Sequence, residues 1–206
     1  MKSVLCFFTP LLLSAAPRLV YSKAFPGSVP AYLQITLERD GKAVYKESAD
    51  DDQPLKFDMK KEETDTIFAL AEKLDKFTRP LESGLKVANM GMKNYRWEED
   101  GKAQEVKFNY SQDLDAQAIQ DWFEKMTETE QHFIALERSV KFDKLGTNKA
   151  LLQFQAAIER DRLVALPQFY PLLERVIKNE SYLHMDRERA AKLMEWIRNG
   201  KPKAAQ

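Results

Sequence analysis

The stretch Asp113–Asp143, DLDAQAIQDWFEKMTETEQHFIALERSVKFD, decides the fold. Ile119, Trp122, Met126, Thr129, Phe133, Leu136 and Val140 recur at three- and four-residue spacing, the period of one helix face. Neither glycine nor proline interrupts the run. Ser111 or Asp113 can cap its start by accepting a backbone N–H bond. About 30 residues at 1.5 Å each make a helix on the order of 45 Å long. That exceeds the width of a small domain, so the helix must leave the layer it first packs on and carry a second lobe.

Upstream of it the period is two. Leu33, Ile35 and Leu37 alternate with Gln34, Thr36 and Glu38, the mark of a half-buried strand. Arg39-Asp40-Gly41-Lys42 supplies a hairpin turn, because Asp-Gly tolerates positive φ, and Ala43 to Glu47 returns. Leu55, Phe57 and Met59 form a short third strand. Ile67, Leu70, Ala71, Leu74 and Phe77 then take helical spacing over residues 61–77, until Arg79-Pro80 stops it. A second hairpin pairs Tyr95 and Trp97 with Val106, Phe108 and Tyr110 across Asp100-Gly101-Lys102.

Downstream there are only helices. Leu145-Gly146-Thr147-Asn148 is a stop and a new cap, and Leu151, Leu152, Phe154 and Ile158 face inward from the next helix. Pro167 opens another with Phe169, Leu172, Leu173 and Val176, broken at Asn179-Glu180-Ser181. The last covers residues 184–198, with Met185, Leu193, Met194 and Ile197 inward. Strands first and helices afterwards define an α+β class. A β-hairpin, strand, helix, β-hairpin domain spans residues 31–126. A C-terminal all-helical lobe spans 127–198, continuous with the long helix 113–143.

Composition narrows the partners. Acidic and basic residues balance at 32 each, which leaves no electrostatic footprint for nucleic acid or an anionic membrane. Seven glycines are too few for a β-barrel, and a lone cysteine, Cys6, excludes an intrachain disulfide.

Residues 1–22 read as a secretory signal peptide. Lys2 is a short basic region, and Val4 to Leu13 is apolar apart from Thr9 and Pro10. Ser14-Ala15-Ala16, Val20-Tyr21-Ser22 and Ser22-Lys23-Ala24 are alternative cleavage motifs, so the mature chain is expected to start between residues 17 and 25. Cys6 lies too early, and without a lipobox, to carry a lipid anchor. Removing residues 1–22 takes Lys2, Arg18 and the cysteine, and leaves a net charge near −2. The expected location is therefore secreted or periplasmic, with Pro26-Gly27-Ser28-Val29-Pro30 as a linker. No other segment has the apolar length of a membrane span.

The residues suited to chemistry are few. His132 lies four residues after Glu128, but two ligands do not make a metal site. His184 has neither a cysteine nor a serine elbow to serve. Asp50-Asp51-Asp52 lacks the spaced acids and glycine of a calcium loop. No phosphate loop, H-E-x-x-H or C-x-x-C occurs. The expectation is a non-enzymatic binding protein with no catalytic residue, no cofactor and no metal. Its partner would be another protein, and the chain itself a monomer or weak homodimer. An enzyme, such as a hydrolase using scattered acids, is the alternative. The candidate binding residues are Tyr95, Trp97, Trp122 and Phe133. Tyr95, Trp97 and Tyr110, with Arg96 and Lys107, either present an aromatic-basic sheet face or pack under the long helix.

Two resemblances add to this. Phe169-Tyr170-Pro171-Leu172-Leu173, followed by Arg187 and Ala190 in an Arg-x-x-Ala helix, resembles a single HEAT-type helical pair. One such pair implies a packing solution and not a solenoid. The order hairpin, strand, helix ending at Phe77, second hairpin with Tyr95 and Trp97, then helix, over residues 31–126, resembles protealysin-inhibitor (emfourin) modules. That resemblance implies protease binding. The glycine pair of the first hairpin in those modules is replaced here by Asp40-Gly41.

Overall fold

A computed structural model describes residues 16–201. Six strands, β1 (Arg18–Ala24), β2 (Tyr32–Glu38), β3 (Lys42–Lys46), β4 (Leu55–Asp58), β5 (Met92–Glu99) and β6 (Lys102–Phe108), form one antiparallel sheet in the order β4-β3-β2-β1-β5-β6. Helix α1 (Lys61–Lys73) and the long α2 (Leu114–Phe142) cover one face. Helices α3 (Thr147–Glu159), α4 (Tyr170–Lys178) and α5 (His184–Asn199) build the C-terminal lobe. The α+β class and the order of its elements follow the sequence patterns.

One element does not. Arg18–Ala24, of which residues 18–22 are expected to leave with a signal peptide, is an interior strand of the sheet. All seven of its residues pair with β2 on one side and β5 on the other. Leu19 and Tyr21 point into the core at 1% exposure each, and Tyr21 stacks on Phe123 of α2 at 4.7 Å. The alternation Leu19, Tyr21 against Val20, Ser22 is that of a strand, but it runs straight on from an apolar targeting pattern that masks it. Cleavage after Ser22 or Ala24 would remove this strand from between β2 and β5. The sheet thus begins at Arg18, upstream of residue 31. Residues 26–30 are a hairpin connection between neighbouring strands and not a linker, closed by Phe25 N–H donating to the Ala31 carbonyl at 2.8 Å. Lys2, Cys6 and the apolar run Val4–Leu13 lie outside the described residues.

The inner sheet face carries Leu33, Ile35, Leu37, Tyr45, Phe57, Tyr95, Trp97 and Phe108 against Ile67, Phe68 and Ala71 of α1 and Ile119, Phe123 and Met126 of α2. The outer face is polar. Arg18 bridges its cross-strand neighbours Glu98 (2.5 Å) and Glu38 (3.9 Å), and Arg96 reaches Glu98 (2.6 Å) and Glu105 (3.6 Å). Such exposed pairs contribute little individually, but they keep this face soluble and in register. The first turn is tied to the end of β4. Gly41 has φ +93°, and a Cβ there would lie 2.7 Å from the Met59 carbonyl.

Helix α2 serves two cores. Asp113 caps it, accepting from the Asp115 and Ala116 N–H groups. Its first half packs on the sheet, whereas Leu136 and Val140 belong to a second core with Leu151, Phe154, Phe169, Leu173 and Leu193. Phe133 meets Phe169 edge-on at 5.5 Å. The stripe of α2 is thus covered within the chain, its second half by the lobe that the helix carries. Two residues expected inward, Leu152 and Met185, are exposed at 50% and 52%. Their helices turn Leu151 and Ala190 inward instead.

A chain beginning at Pro17 should melt as the full-length protein does. One beginning at Phe25 should show no cooperative thermal transition by circular dichroism, because it lacks the strand that carries Leu19 and Tyr21. A folded Phe25 form would contradict the central place of β1.

Candidate functional site

Helix α2 runs past the sheet, and the chain turns back at Asp143–Gly146 into α3. Asp143 fixes that turn by accepting from Gly146 N–H at 3.0 Å. Between the two helices lies an open trough of about 510 Å³. Ile134, Ala135, Arg138 and Phe142 of α2 form one wall, and Lys149, Ala150 and Gln153 of α3 the other. Val29 and Pro30 from the β1–β2 connection close one end, with Glu47 beside them. Ile134, Arg138 and Phe142 stand four residues apart and so share one helix face. Phe142 is 83% exposed and Val29 96%. A soluble protein gains nothing by displaying two large apolar side chains at one concavity unless something covers them.

Two carboxylates, Glu47 and Asp143, and two cations, Arg138 and Lys149, line the trough. Glu47 accepts from the Tyr45 hydroxyl at 3.0 Å, and Asp143 is committed to the turn. Arg138 and Lys149 have no ion-pair partner among the described residues.

A second cavity, of about 450 Å³, lies over the middle of α2 and is polar. Tyr21, Lys23, Glu124, Glu128, His132 and Arg162 line it. Burial holds the His132 imidazole below its ordinary pKa, with the Glu128 carboxylate opposing. Arg162 donates to Glu128 at 3.0 Å and to Asp121 at 2.6 Å. Thr127 donates to the Phe123 carbonyl at 2.8 Å, and Gln120 donates to Glu124 at 2.7 Å. The acids are therefore occupied in holding structure. Among the described residues, no carboxylate orients His132 as a base and no three His, Cys, Asp or Glu side chains converge as metal ligands.

Just beneath, the waist of α2 is buried and polar. Thr129 accepts from Val164 N–H at 3.0 Å, and Glu130 accepts from Gln168 at 2.9 Å. The second oxygen of Glu130 has no protein partner. Burial pushes this carboxyl up to about 7, against the lowering effect of the Gln168 hydrogen bond.

The sequence-derived candidates fall elsewhere. Tyr95 is fully buried and its hydroxyl donates to the Ala116 carbonyl at 3.0 Å. Trp97 is 3% exposed, with its indole N–H on Glu99 at 3.1 Å. The aromatic face therefore packs under the helices and is no open binding surface. Trp122 is half-buried against the first core and Phe133 against the second. None of the four lines the trough. His184 lies at the surface, 3.1 Å from Glu188. The trough residues were missed because they lie off the apolar stripe. Phe142, two residues past the inward Val140, was the available signal.

No family model matches the chain, and neither the curated proteins nor the solved structures searched contain a match. Among the described residues no helix is long and apolar enough to cross a membrane.

Glu130 gives the fold a pH dependence of definite sign. Its folded pKa lies above the unfolded value of 4.5, so the protonated form fits the folded state better. Its contribution is full below pH 4.5 and is lost as pH rises through about 7. Glu130→Gln should therefore raise stability by about 3 kcal/mol at pH 8 and change little at pH 4.5. Denaturant titrations at the two pH values read this difference directly. An equal effect at both would place the carboxylate in a solvated setting.

Proposed function

We propose that this is an exported, non-enzymatic protein that binds another protein through the trough between α2 and α3. The observation that carries the reading is the pair of exposed apolar side chains, Phe142 and Val29, at one concavity whose walls include the half-buried Ile134 and the buried Ala150. Export rests on the apolar N-terminal segment, with processing that spares Arg18 and the strand it begins. The non-enzymatic reading draws on the occupied acids of the polar cavity and on His132 having, among the described residues, no carboxylate hydrogen-bonded to orient it.

A protease as the partner is the second reading. It draws on the resemblance to emfourin modules, and the run β2-β3-β4-α1-β5-β6-α2 has the element order quoted for that resemblance. Such binding would use the sheet domain and leave the trough unaffected.

The dye 8-anilinonaphthalene-1-sulfonate tests the trough, since it joins an apolar body to one anionic group. The folded protein should bind it at a single site with a blue-shifted, enhanced emission. Phe142→Asp should remove that signal and leave the melting temperature unchanged, because Phe142 is 83% exposed. Dye binding that survives both Phe142→Asp and Ile134→Asp would contradict the site.

A further inference from the structure

We infer that the segment Arg162–Gln168 is a pH-operated latch, closed on α2 while the Glu130 carboxyl is protonated and lifted from it, with both lobes still folded, once that carboxyl ionises. The inference is independent of the trough, which this segment does not line.

The first ground is the way the segment is held. It carries the chain from α3 across α2 to α4, and among the described residues no backbone–backbone hydrogen bond ties it to α2. Its polar attachments all end on side chains of that helix. Arg162 donates to Glu128 and Asp121, Val164 N–H donates to the Thr129 hydroxyl, and Gln168 donates to Glu130. Asp161 and Ala165 hold φ at +55° and +47°, left-handed conformations that cost a non-glycine residue free energy and relax on release. A strained strap fastened by side chains can open without its neighbours, and α2 keeps its own backbone bonds when it does.

The second ground is what lies beneath. Glu130 is fully buried, with one oxygen on the Gln168 amide at 2.9 Å and the other without a protein partner. A neutral carboxyl is tolerated there, whereas a carboxylate needs water or a cation. The charged groups of the crossing chain are committed elsewhere. Arg160 donates to the Ala156 carbonyl, Asp161 pairs with Lys201 at 2.6 Å, and Arg162 holds Glu128 and Asp121. From β3 the Tyr45 hydroxyl is coupled to Glu130, and burial, then Glu47, keeps that hydroxyl un-ionised. No charged side chain of α1, α3 or α4 joins burial and the Gln168 amide in setting the Glu130 carboxyl, which burial pushes up to about 7. His132, two residues along α2, is a second titratable group, held below its ordinary value by burial. Lifting Gln168 and its segment is therefore the change that brings water to the carboxylate. Protonation favours the closed form, whose advantage is full below pH 4.5 and is lost as pH rises through about 7. From pH 6 to pH 8 the open population accordingly rises about ten-fold. The joint between the lobes is stiff in mild acid and loose above neutrality.

Native-state hydrogen exchange on the full-length protein, with each rate divided by the chemical exchange rate at that pH, reads the latch at the Val164 amide. Val164 should be less protected than Phe123 and Leu136 of α2 at every pH. Its protection should fall about ten-fold from pH 6 to pH 8. These two readings need no substitution. The fall should persist in His132→Gln and be absent in Glu130→Gln. A Val164 amide as well protected as Phe123 and Leu136 would mean that the segment opens only with the whole fold, and would overturn the latch. Protection at Val164 that is flat with pH, a fall that survives Glu130→Gln, or one that is lost in His132→Gln would overturn it as well.

Discussion

The structure depends on one helix being buried twice. In its first half α2 gives Ile119, Phe123 and Met126 to the sheet core, and in its second half it gives Leu136 and Val140 to the helical core. At the join, Thr129 and Glu130 are fully buried, and the chain leaving α3 crosses over them. That crossing segment bonds to α2 through Arg162, Val164 and Gln168, and its Val164 and Ala165 enter the sheet core. The lobes are therefore held by a polar latch as well as by a shared helix. A buried hydroxyl that both donates and accepts adds geometric definition at small cost. A buried carboxyl with one free oxygen does not, and its high pKa expresses that cost.

The trough follows from the same geometry. A helix long enough to reach a second core runs past the sheet, and α3 folds back along it to bury Leu151 and Phe154. The face of α2 turned toward Leu136 is filled, and the face carrying Ile134, Arg138 and Phe142 is left between α3 and the β1–β2 connection. Placing β1 at the centre of the sheet brings that connection, with Val29, to the end of the trough.

Periodicity made most of the fold legible. The alternation at Leu33–Leu37, the Asp-Gly turns, the helical spacing from Ile67 and the unbroken run from Asp113 all correspond to observed elements. What escaped was governed by relations between elements. Arg18–Ala24 is a strand because β2 and β5 flank it, whereas read alone it extends an apolar leader. Tyr95 and Trp97 could have faced either way, and only the cover of α1 and α2 decides it. Leu152 looks like a core residue by type, but Leu151 and Phe154 fill the inward face of α3. The candidate site was least legible, because a trough between two helices is lined by residues off both apolar stripes. The waist was partly visible, since Thr129 stands within the stripe, but the burial of its neighbour Glu130 depends on a segment more than thirty residues away.

Native-state hydrogen exchange along α2 tests the double burial most directly. If one helix ties both cores into a single cooperative unit, the amides from Phe123 to Leu136 exchange through the same global opening, with the waist at Thr127–Gln131 as protected as its flanks. A waist that exchanges faster than both flanks, with each lobe opening at its own free energy, would contradict the account.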